Sequence, residues 1–193
     1  MRVLIILLGL VLSTGTYAQA PEESSIGSMK FVDAVSGDSL SLSDYQDRSL
    51  LVLIFTSNYC PYSRKYESRI KQIHESYASK GLQLLLVNPN AGDNDSLEEM
   101  QKKAAEHNYK FPYLSDKEQQ LTELLGAQRT PEAFLLKAKD FELLYRGAID
   151  DNPQAPAYVE SPYLVQAIDQ ALNGDETTPK KVKVIGCMIK KGS

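Results

Sequence analysis

Apolar positions along the chain alternate between continuous runs and helical spacing, which predicts a protein of the α/β class. The segment Leu50–Thr56 opens with six successive apolar residues, as expected of a strand that is buried on both faces. After Pro61 the apolar residues fall at helical spacing, and Gly81 stands where the helix should end. A second apolar run, Leu82–Asn88, follows. This strand–helix–strand unit predicts a parallel crossover.

Two further patterns predict antiparallel strand pairs. Near the N-terminus, Lys30–Val35 and Ser39–Leu42 flank a turn at Gly37, which predicts a β-hairpin. Later in the chain, Ala133–Leu136 and Phe141–Gly147 are separated by a short polar turn. The sequence therefore predicts a central mixed sheet with an N-terminal hairpin extension.

Capping signals predict where three more helices begin. Ser96 is followed by Glu99, and Ser115 is followed by Glu118, so each pair resembles a capping box. Ser161-Pro162 places a proline at the first position of a last helix. Helices are therefore expected on the faces of the sheet.

The first 18 residues have the layout of a secretory signal peptide, with a basic start, about ten apolar residues and a small-residue end. Cleavage is expected after Ala18. The apolar run is too short to span a bilayer, so we expect an exported protein without a stable membrane anchor. One domain is expected over 28–174, followed by a lysine-rich tail over 175–193 that carries Cys187.

Composition narrows the classes of function. The chain has 193 residues and a formal net charge of -4, which gives no indication of nucleic-acid binding. Its two histidines lack partners at metal-ligand spacing, and we identify no phosphate-binding loop, so no metal or other cofactor is predicted. With only two cysteines, Cys60 and Cys187, either the pair forms one disulfide or at least one of them performs chemistry.

Cys60 lies where the apolar strand ends and the helix begins. The unpaired N–H groups and the dipole of a helix N-terminus favour an anion, which lowers the pKa of a thiol placed there. The position therefore favours a reactive thiolate.

Four features together resemble the peroxiredoxin-like redoxins of the thioredoxin superfamily, the alkyl hydroperoxide reductase/thiol-specific antioxidant type. They are the hairpin before the central strand, the cysteine at the strand–helix junction, Thr130-Pro131 before a strand, and the segments 145–151 and 186–190. The resemblance implies a thioredoxin-like fold. It also implies a cis-proline at Pro131 beside Cys60, where the backbone of Thr130 would hold an extended substrate.

The chain departs from the motifs of that superfamily at three positions. Ser63 stands where the Cys-x-x-Cys motif has its second thiol, although its hydroxyl is able to hydrogen-bond the Cys60 thiolate. The peroxidatic motif Pro-x-x-x-Thr-x-x-Cys is replaced by Leu53 and Ser57. Ser57 still offers a hydroxyl to a peroxide, and Arg129 offers a cation beside the expected cis-proline.

Two roles for Cys187 stay open. Its tail contains glycine, threonine and proline, which favours a segment that swings towards Cys60 and resolves an intermediate there. Alternatively, the two cysteines form a static bridge that pins the tail.

The sequence thus predicts an exported redox protein that acts through Cys60. Its expected substrates are a disulfide-containing protein or a peroxide, with an external thiol as reductant. The alternative is a non-catalytic binding module that kept the fold and lost the dithiol motif.

Overall fold

The computed structural model describes residues 23–190, so the predicted signal peptide lies outside the described part of the chain. The strands of the described part are β1 (Lys30–Asp33), β2 (Ser39–Ser41), β3 (Leu50–Phe55), β4 (Leu82–Asn88), β5 (Tyr113–Ser115), β6 (Arg129–Thr130), β7 (Glu132–Lys137), β8 (Leu143–Gly147) and β9 (Cys187–Met188). The helices are α1 (Glu23–Ser28), α2 (Pro61–Tyr77), α3 (Leu97–Glu106), α4 (Gln120–Leu125) and α5 (Tyr163–Asn173).

Seven strands form one mixed sheet in the order β2-β1-β5-β4-β3-β7-β8, and β6 pairs with β9 in a separate ladder. β3 and β4 pair in parallel, while β7 and β8 pair antiparallel, as the sequence predicts. The predicted hairpin is present as β1 and β2 at the other edge of the sheet. The predicted thioredoxin-like α/β fold is therefore confirmed.

The central strand β3 is buried on both faces because its residues contribute alternately to two apolar cores. Val52 and Ile54 belong to the core that includes residues of α2, α3 and α5. Leu51 and Leu53 belong to the opposite core, which includes residues of α1 and α4. Helices therefore cover both faces of the sheet and fix the end of β3, from which the chain leads to Cys60.

The junction after β3 has the geometry that the sequence predicts. Cys60 is the N-cap residue of α2, with extended backbone (φ -70°, ψ 118°), and Pro61 is the first helical residue. A short 3-10 turn extends the helix to Gly81, whose φ of 88° lies in the left-handed region. Glycine adopts this conformation at little cost, so the chain turns there into β4.

The predicted start of α4 is wrong. Ser115 does not cap a helix, because it ends β5 and pairs with Val32 of β1. The helix begins only at Gln120, where the buried Asp116 carboxylate accepts the backbone N–H of Thr122 at 2.8 Å. Asp116 therefore accepts a backbone N–H group at the start of the helix, which is the role that the sequence assigned to Ser115.

The other two predicted helix starts are close to the observed ones. The Ser96 hydroxyl accepts the backbone N–H of Glu99 at 3.3 Å, which confirms Ser96 as the N-cap of α3. Pro162 is the N-cap residue of α5 rather than its first helical residue, so this prediction is one position early.

The C-terminal tail is docked on the domain rather than free. Lys181 forms a parallel bridge with Arg146 of β8, and the N–H of Val182 donates to the Arg146 carbonyl at 3.1 Å. A Cβ atom on Gly147 would lie 2.5 Å from the Val182 carbonyl oxygen, so glycine at this position lets the tail approach. Within residues 23–190, no helix has both the length and the apolar character needed to cross a bilayer.

Candidate active site

Cys60 and Cys187 form a disulfide although they are 127 positions apart in sequence. Their Cα atoms are 6.1 Å apart, within the usual range for a bridged pair. Cys60 is almost fully buried, at 2% exposure, whereas Cys187 is partly exposed on β9. The structure therefore brings together the two cysteines that the sequence singled out, in their oxidised form.

Thr130 and Pro131 lie directly beside this disulfide. The peptide bond between them is cis, as the resemblance implied. The Sγ atom of Cys60 lies 3.1 Å from the Thr130 carbonyl oxygen, and Thr130 pairs with Cys187 in the β6–β9 ladder. The site therefore consists of a helix N-terminus on one side and a short strand edge on the other.

Arg129 faces the tail. Its guanidinium donates to the carbonyl oxygen of Gly186 at 2.9 Å, one residue before Cys187. The N–H of Ile189 donates to the carbonyl of Gln128 at 3.0 Å and extends the same ladder. Arg129 thus contacts the segment that carries the second cysteine.

Glu132 supports this edge, and sequence reasoning did not identify it. Its buried carboxylate accepts the backbone N–H groups of Gln128 at 2.8 Å and Arg129 at 3.2 Å. The other carboxylate oxygen lies 2.8 Å from the guanidinium of Arg146. A buried charge that is paired and hydrogen-bonded in this way holds the chain before Pro131 in one conformation.

Ser57 lines the cavity beside Cys60, and its hydroxyl is hydrogen-bonded within the protein. Its hydroxyl donates to the carboxylate of Asp95, with both oxygen atoms at 3.1 Å. The same hydroxyl oxygen accepts the N–H of Tyr59 at 3.2 Å. Both Ser57 and Asp95 are buried, so this pair positions the loop that leads to Cys60.

Asp95 is the second residue that sequence reasoning missed. Besides Ser57, it accepts the N–H of Asn58 at 2.7 Å and the side-chain amide of Asn88 at 2.9 Å. The only signal in the sequence is an acidic loop at 93–95, which is typical of many surface turns. Because its partners are far away in sequence, the carboxylate could be placed only by the fold.

Tyr113 joins this network from β5. Its hydroxyl donates to the side-chain oxygen of Asn58 at 2.8 Å and accepts from Asn88 at 3.1 Å. Burial is the main cause that raises the pKa of Tyr113 well above its usual value. The phenol is therefore a neutral hydrogen-bond donor that helps to fix the loop before Cys60.

Ser63 lies one helical turn after Cys60, in the place of a second thiol. Its side chain is buried, and its hydroxyl oxygen accepts the N–H of Ser57 at 3.4 Å. The hydroxyl therefore contributes to the same loop that carries Cys60.

A cavity of about 640 Å³ opens beside the disulfide. It is lined by both cysteines, by the loop at 90–95, and by the exposed side chains of Tyr59 and Met188. Among the described residues, no group of three or more histidine, cysteine or acidic side chains is placed to hold a metal ion.

A cysteine at a helix N-terminus, next to a cis-proline and above a mixed sheet, defines a thioredoxin-fold redox protein. The particular family is shown by a family model, that of the AhpC/TSA family, which matches residues 27–146. The chain belongs to this family, and it is a thiol-dependent oxidoreductase of the thiol–disulfide oxidoreductase or peroxiredoxin type. Family membership favours this activity over a non-catalytic binding module.

Several solved structures share the fold. A hypothetical protein from Sinorhizobium meliloti 1021 is 30% identical, with 86% of this chain and 91% of that one covered and a TM-score of 0.78. An uncharacterized conserved protein from Geobacillus kaustophilus is 27% identical, with 91% and 94% covered and a TM-score of 0.80. A putative thiol:disulfide interchange protein DsbE from Chlorobium tepidum is 24% identical, with 76% and 95% covered and a TM-score of 0.60. No curated protein matches the chain.

Proposed function

We propose that this protein is an exported thiol–disulfide oxidoreductase in which Cys60 attacks the substrate and Cys187 resolves the intermediate. The observation that carries the proposal is the Cys60–Cys187 disulfide, which joins the helix N-terminus to the tail. A nucleophile and a resolving thiol must reach bonding distance, and the 6.1 Å between the two Cα atoms meets this condition.

The reaction starts from the reduced protein. The Cys60 thiolate attacks one sulfur of a substrate disulfide, so a mixed disulfide forms and the other substrate sulfur leaves as a thiolate that takes up a proton. The Cys187 thiolate then attacks the Cys60 sulfur. This step forms the Cys60–Cys187 bond and releases the substrate with both sulfurs reduced. An external thiol reductant returns two electrons to the protein and restores both thiols.

The strand edge favours a polypeptide disulfide over a peroxide as substrate. Thr130 and Pro131 present backbone groups beside Cys60, and such an edge holds an extended chain by strand-like hydrogen bonds. The hydroxyl of Ser57, by contrast, donates to Asp95. Peroxide remains the second candidate because of the family. In that reaction the Cys60 thiolate would attack one peroxide oxygen, the O–O bond would break, and the other oxygen would leave as an alcohol or water. Cys187 would then condense with the resulting Cys60 sulfenic acid, form the disulfide and release water.

Export is part of the proposal. It is supported by the signal-peptide pattern of residues 1–18 and by the disulfide, which suits an oxidising compartment. Sequencing the N-terminus of the mature protein tests it, and the expected first residue is Gln19. A mature chain that begins at Met1 would contradict export by this route.

The activity is tested by comparing three forms of the protein in reduction of a protein disulfide. Cys60→Ser should be inactive, because the remaining thiol, Cys187, lies on β9 and lacks the helix N-terminus that activates Cys60. Cys187→Ser should accumulate a mixed disulfide at Cys60, detectable by mass spectrometry under non-reducing conditions. Full turnover by Cys60→Ser would refute the assignment, and turnover by Cys187→Ser at the wild-type rate would refute the resolving role alone.

The thiol pKa of Cys60 provides an independent measure. In reduced Cys187→Ser, alkylation as a function of pH should give a pKa below the reference of about 8.5, because the α2 N-terminus favours the thiolate. An unshifted value would argue against an activated nucleophile.

A further inference from the structure

The oxidised tail shows how an extended cysteine-containing segment sits at this site. Cys187 is bonded to Cys60, pairs with Thr130, and is followed by Met188 in register with Arg129. This is the arrangement expected of a polypeptide substrate trapped as a mixed disulfide. The surroundings of each tail residue therefore indicate what the site accepts at that position.

The residue before the cysteine has no room for a side chain. A Cβ atom on Gly186 would lie 2.4 Å from the carbonyl oxygen of Thr130 and 2.9 Å from its carbonyl carbon. Both atoms belong to the backbone of a buried residue that precedes Pro131, so they have little freedom to move. Because Gly186 is not among the glycines with positive φ, contact rather than conformation excludes larger residues.

The neighbouring positions are more permissive. Met188 is 72% exposed and Ile185 is 53% exposed. Ile185 lines a groove of about 270 Å³ together with Pro131 and Tyr66. The Tyr66 side chain, which forms one wall of this groove, is held in place because its hydroxyl donates to Asp150 at 2.7 Å. Steric selection is therefore concentrated on the residue immediately before the cysteine.

We infer that the Thr130 edge selects polypeptide disulfides in which glycine immediately precedes the reacting cysteine. The inference rests on the proposed function, because it requires Cys60 to form a mixed disulfide with a polypeptide. It adds a substrate class to that function. The tail, with its own Gly186-Cys187 pair, is then a competitor for the same edge within the chain.

The inference is tested with two peptides that are compared directly, a control peptide, and the reduced Cys187→Ser protein. The first peptide has the sequence of residues 184–189, VIGCMI, and the second is VIACMI; each carries its cysteine as a mixed disulfide with 2-mercaptoethanol. The Cys60 thiolate attacks the peptide sulfur, forms the Cys60–peptide bond, and releases mercaptoethanol thiolate, which takes up a proton. Any residual docking of the tail hinders both peptides equally, so the ratio of their rates is unaffected.

We expect VIGCMI to react about tenfold faster or more, since forcing a methyl group against fixed backbone is unfavourable. VIGCAI serves as the control peptide, because the position after the cysteine is exposed; it should react at nearly the rate of VIGCMI. Equal rates for VIGCMI and VIACMI would overturn the inference.

A small disulfide, bis(2-hydroxyethyl) disulfide, separates this failure from failure of the proposed function. If it reacts with Cys60 while neither peptide does, the glycine selection is refuted and the nucleophile stands. If it also fails to react, both the inference and the proposed function are refuted.

The same contact is measurable within the chain. Gly186→Ala should lower the equilibrium constant for forming the Cys60–Cys187 disulfide in a glutathione buffer by about tenfold or more, for the same steric reason. Met188→Ala, with its exposed side chain, is the matched control and should leave this constant nearly unchanged. An unchanged constant in Gly186→Ala would contradict the inference even if the peptides could not be compared.

Discussion

The carboxylate of Asp95 lies 2.7 Å from the backbone nitrogen of Asn58 and thereby fixes the loop that carries Cys60. The same carboxylate accepts the hydroxyl of Ser57. The position of the Cys60 sulfur thus depends on a residue that lies in another loop, after β4. Reactivity at Cys60 should therefore depend on Asp95.

Asp95→Asn should slow attack by Cys60 without preventing folding. The neutral amide accepts hydrogen bonds more weakly than the carboxylate does, and it places an NH2 group against the Ser57 hydroxyl in place of the second oxygen, at a cost of about 1–3 kcal/mol. We expect the rate of disulfide exchange to fall about tenfold or more, because small displacements of a nucleophile have large kinetic effects. Asp93→Asn, at an exposed position two residues earlier, is the control and should react normally. Equal rates for both variants would show that Asp95 does not position the loop.

Ser63→Cys should create a dithiol site at the start of α2. The experiment uses the Cys187→Ser background, in which the new thiol is the only resolving group. Disulfide reductase turnover should rise by about tenfold or more, because an intramolecular thiol has a high effective concentration. Ser63→Ala in the same background should give no increase. If Ser63→Cys gives none either, the buried side chain of residue 63 does not reach the mixed disulfide.

Reduction of the disulfide should strongly destabilise the fold. The bridge closes a loop over 127 positions, and in the chain-entropy treatment such a loop contributes about 5 kcal/mol. The urea midpoint should therefore be markedly lower with reductant present. Cys187→Ser should show no dependence on reductant. A wild-type midpoint that stays the same after reduction would mean that tail docking alone supplies the stability.

Alkaline pH should destabilise the protein through its buried tyrosines. Burial and a hydrogen bond to Asp169 raise the pKa of Tyr77 to about 12. An unfolded tyrosine titrates near pH 10, so between these values the unfolded chain binds fewer protons than the folded one. The free energy of unfolding should then fall as pH rises from about 10 to about 12.

Tyr77→Phe provides the check on this pH dependence. Its free energy of unfolding should fall less steeply over the same pH range than that of the wild type. Tyr158→Phe alters an exposed tyrosine and should keep the wild-type slope. A Tyr77→Phe slope identical to wild type would exclude Tyr77 as a source of the alkaline loss.

The elements closest to the site could be predicted because their signals are local. The apolar run of β3 and the spacing of α2 depend only on neighbouring residues, and both are found where expected. Ser115 shows the limit of such signals. The same Ser-x-x-Glu pattern that marks α3 fails at this position, because pairing with β1 places Ser115 in a strand.

The supporting residues of the site could not be predicted, because their partners are distant in sequence. Glu132 and Asp95 act through partners that the fold brings to them, including Arg146 and Asn58. An acidic residue beside a turn is common on protein surfaces, so the sequence alone does not distinguish a buried carboxylate from a solvated one. The docked position of Cys187 likewise follows from pairing with β6, which no local pattern specifies.

The antiparallel pairing of β3 with β7 gives the molecule two chemically distinct ends. Lys137 pairs with Leu50 at the start of β3, whereas Cys60 follows the end of that strand. The turn at the exposed Lys139 therefore lies at the opposite end of the sheet from the disulfide. A peptide tag inserted at this turn would anchor the protein to a bead or an electrode with the cavity beside the disulfide open to the solution.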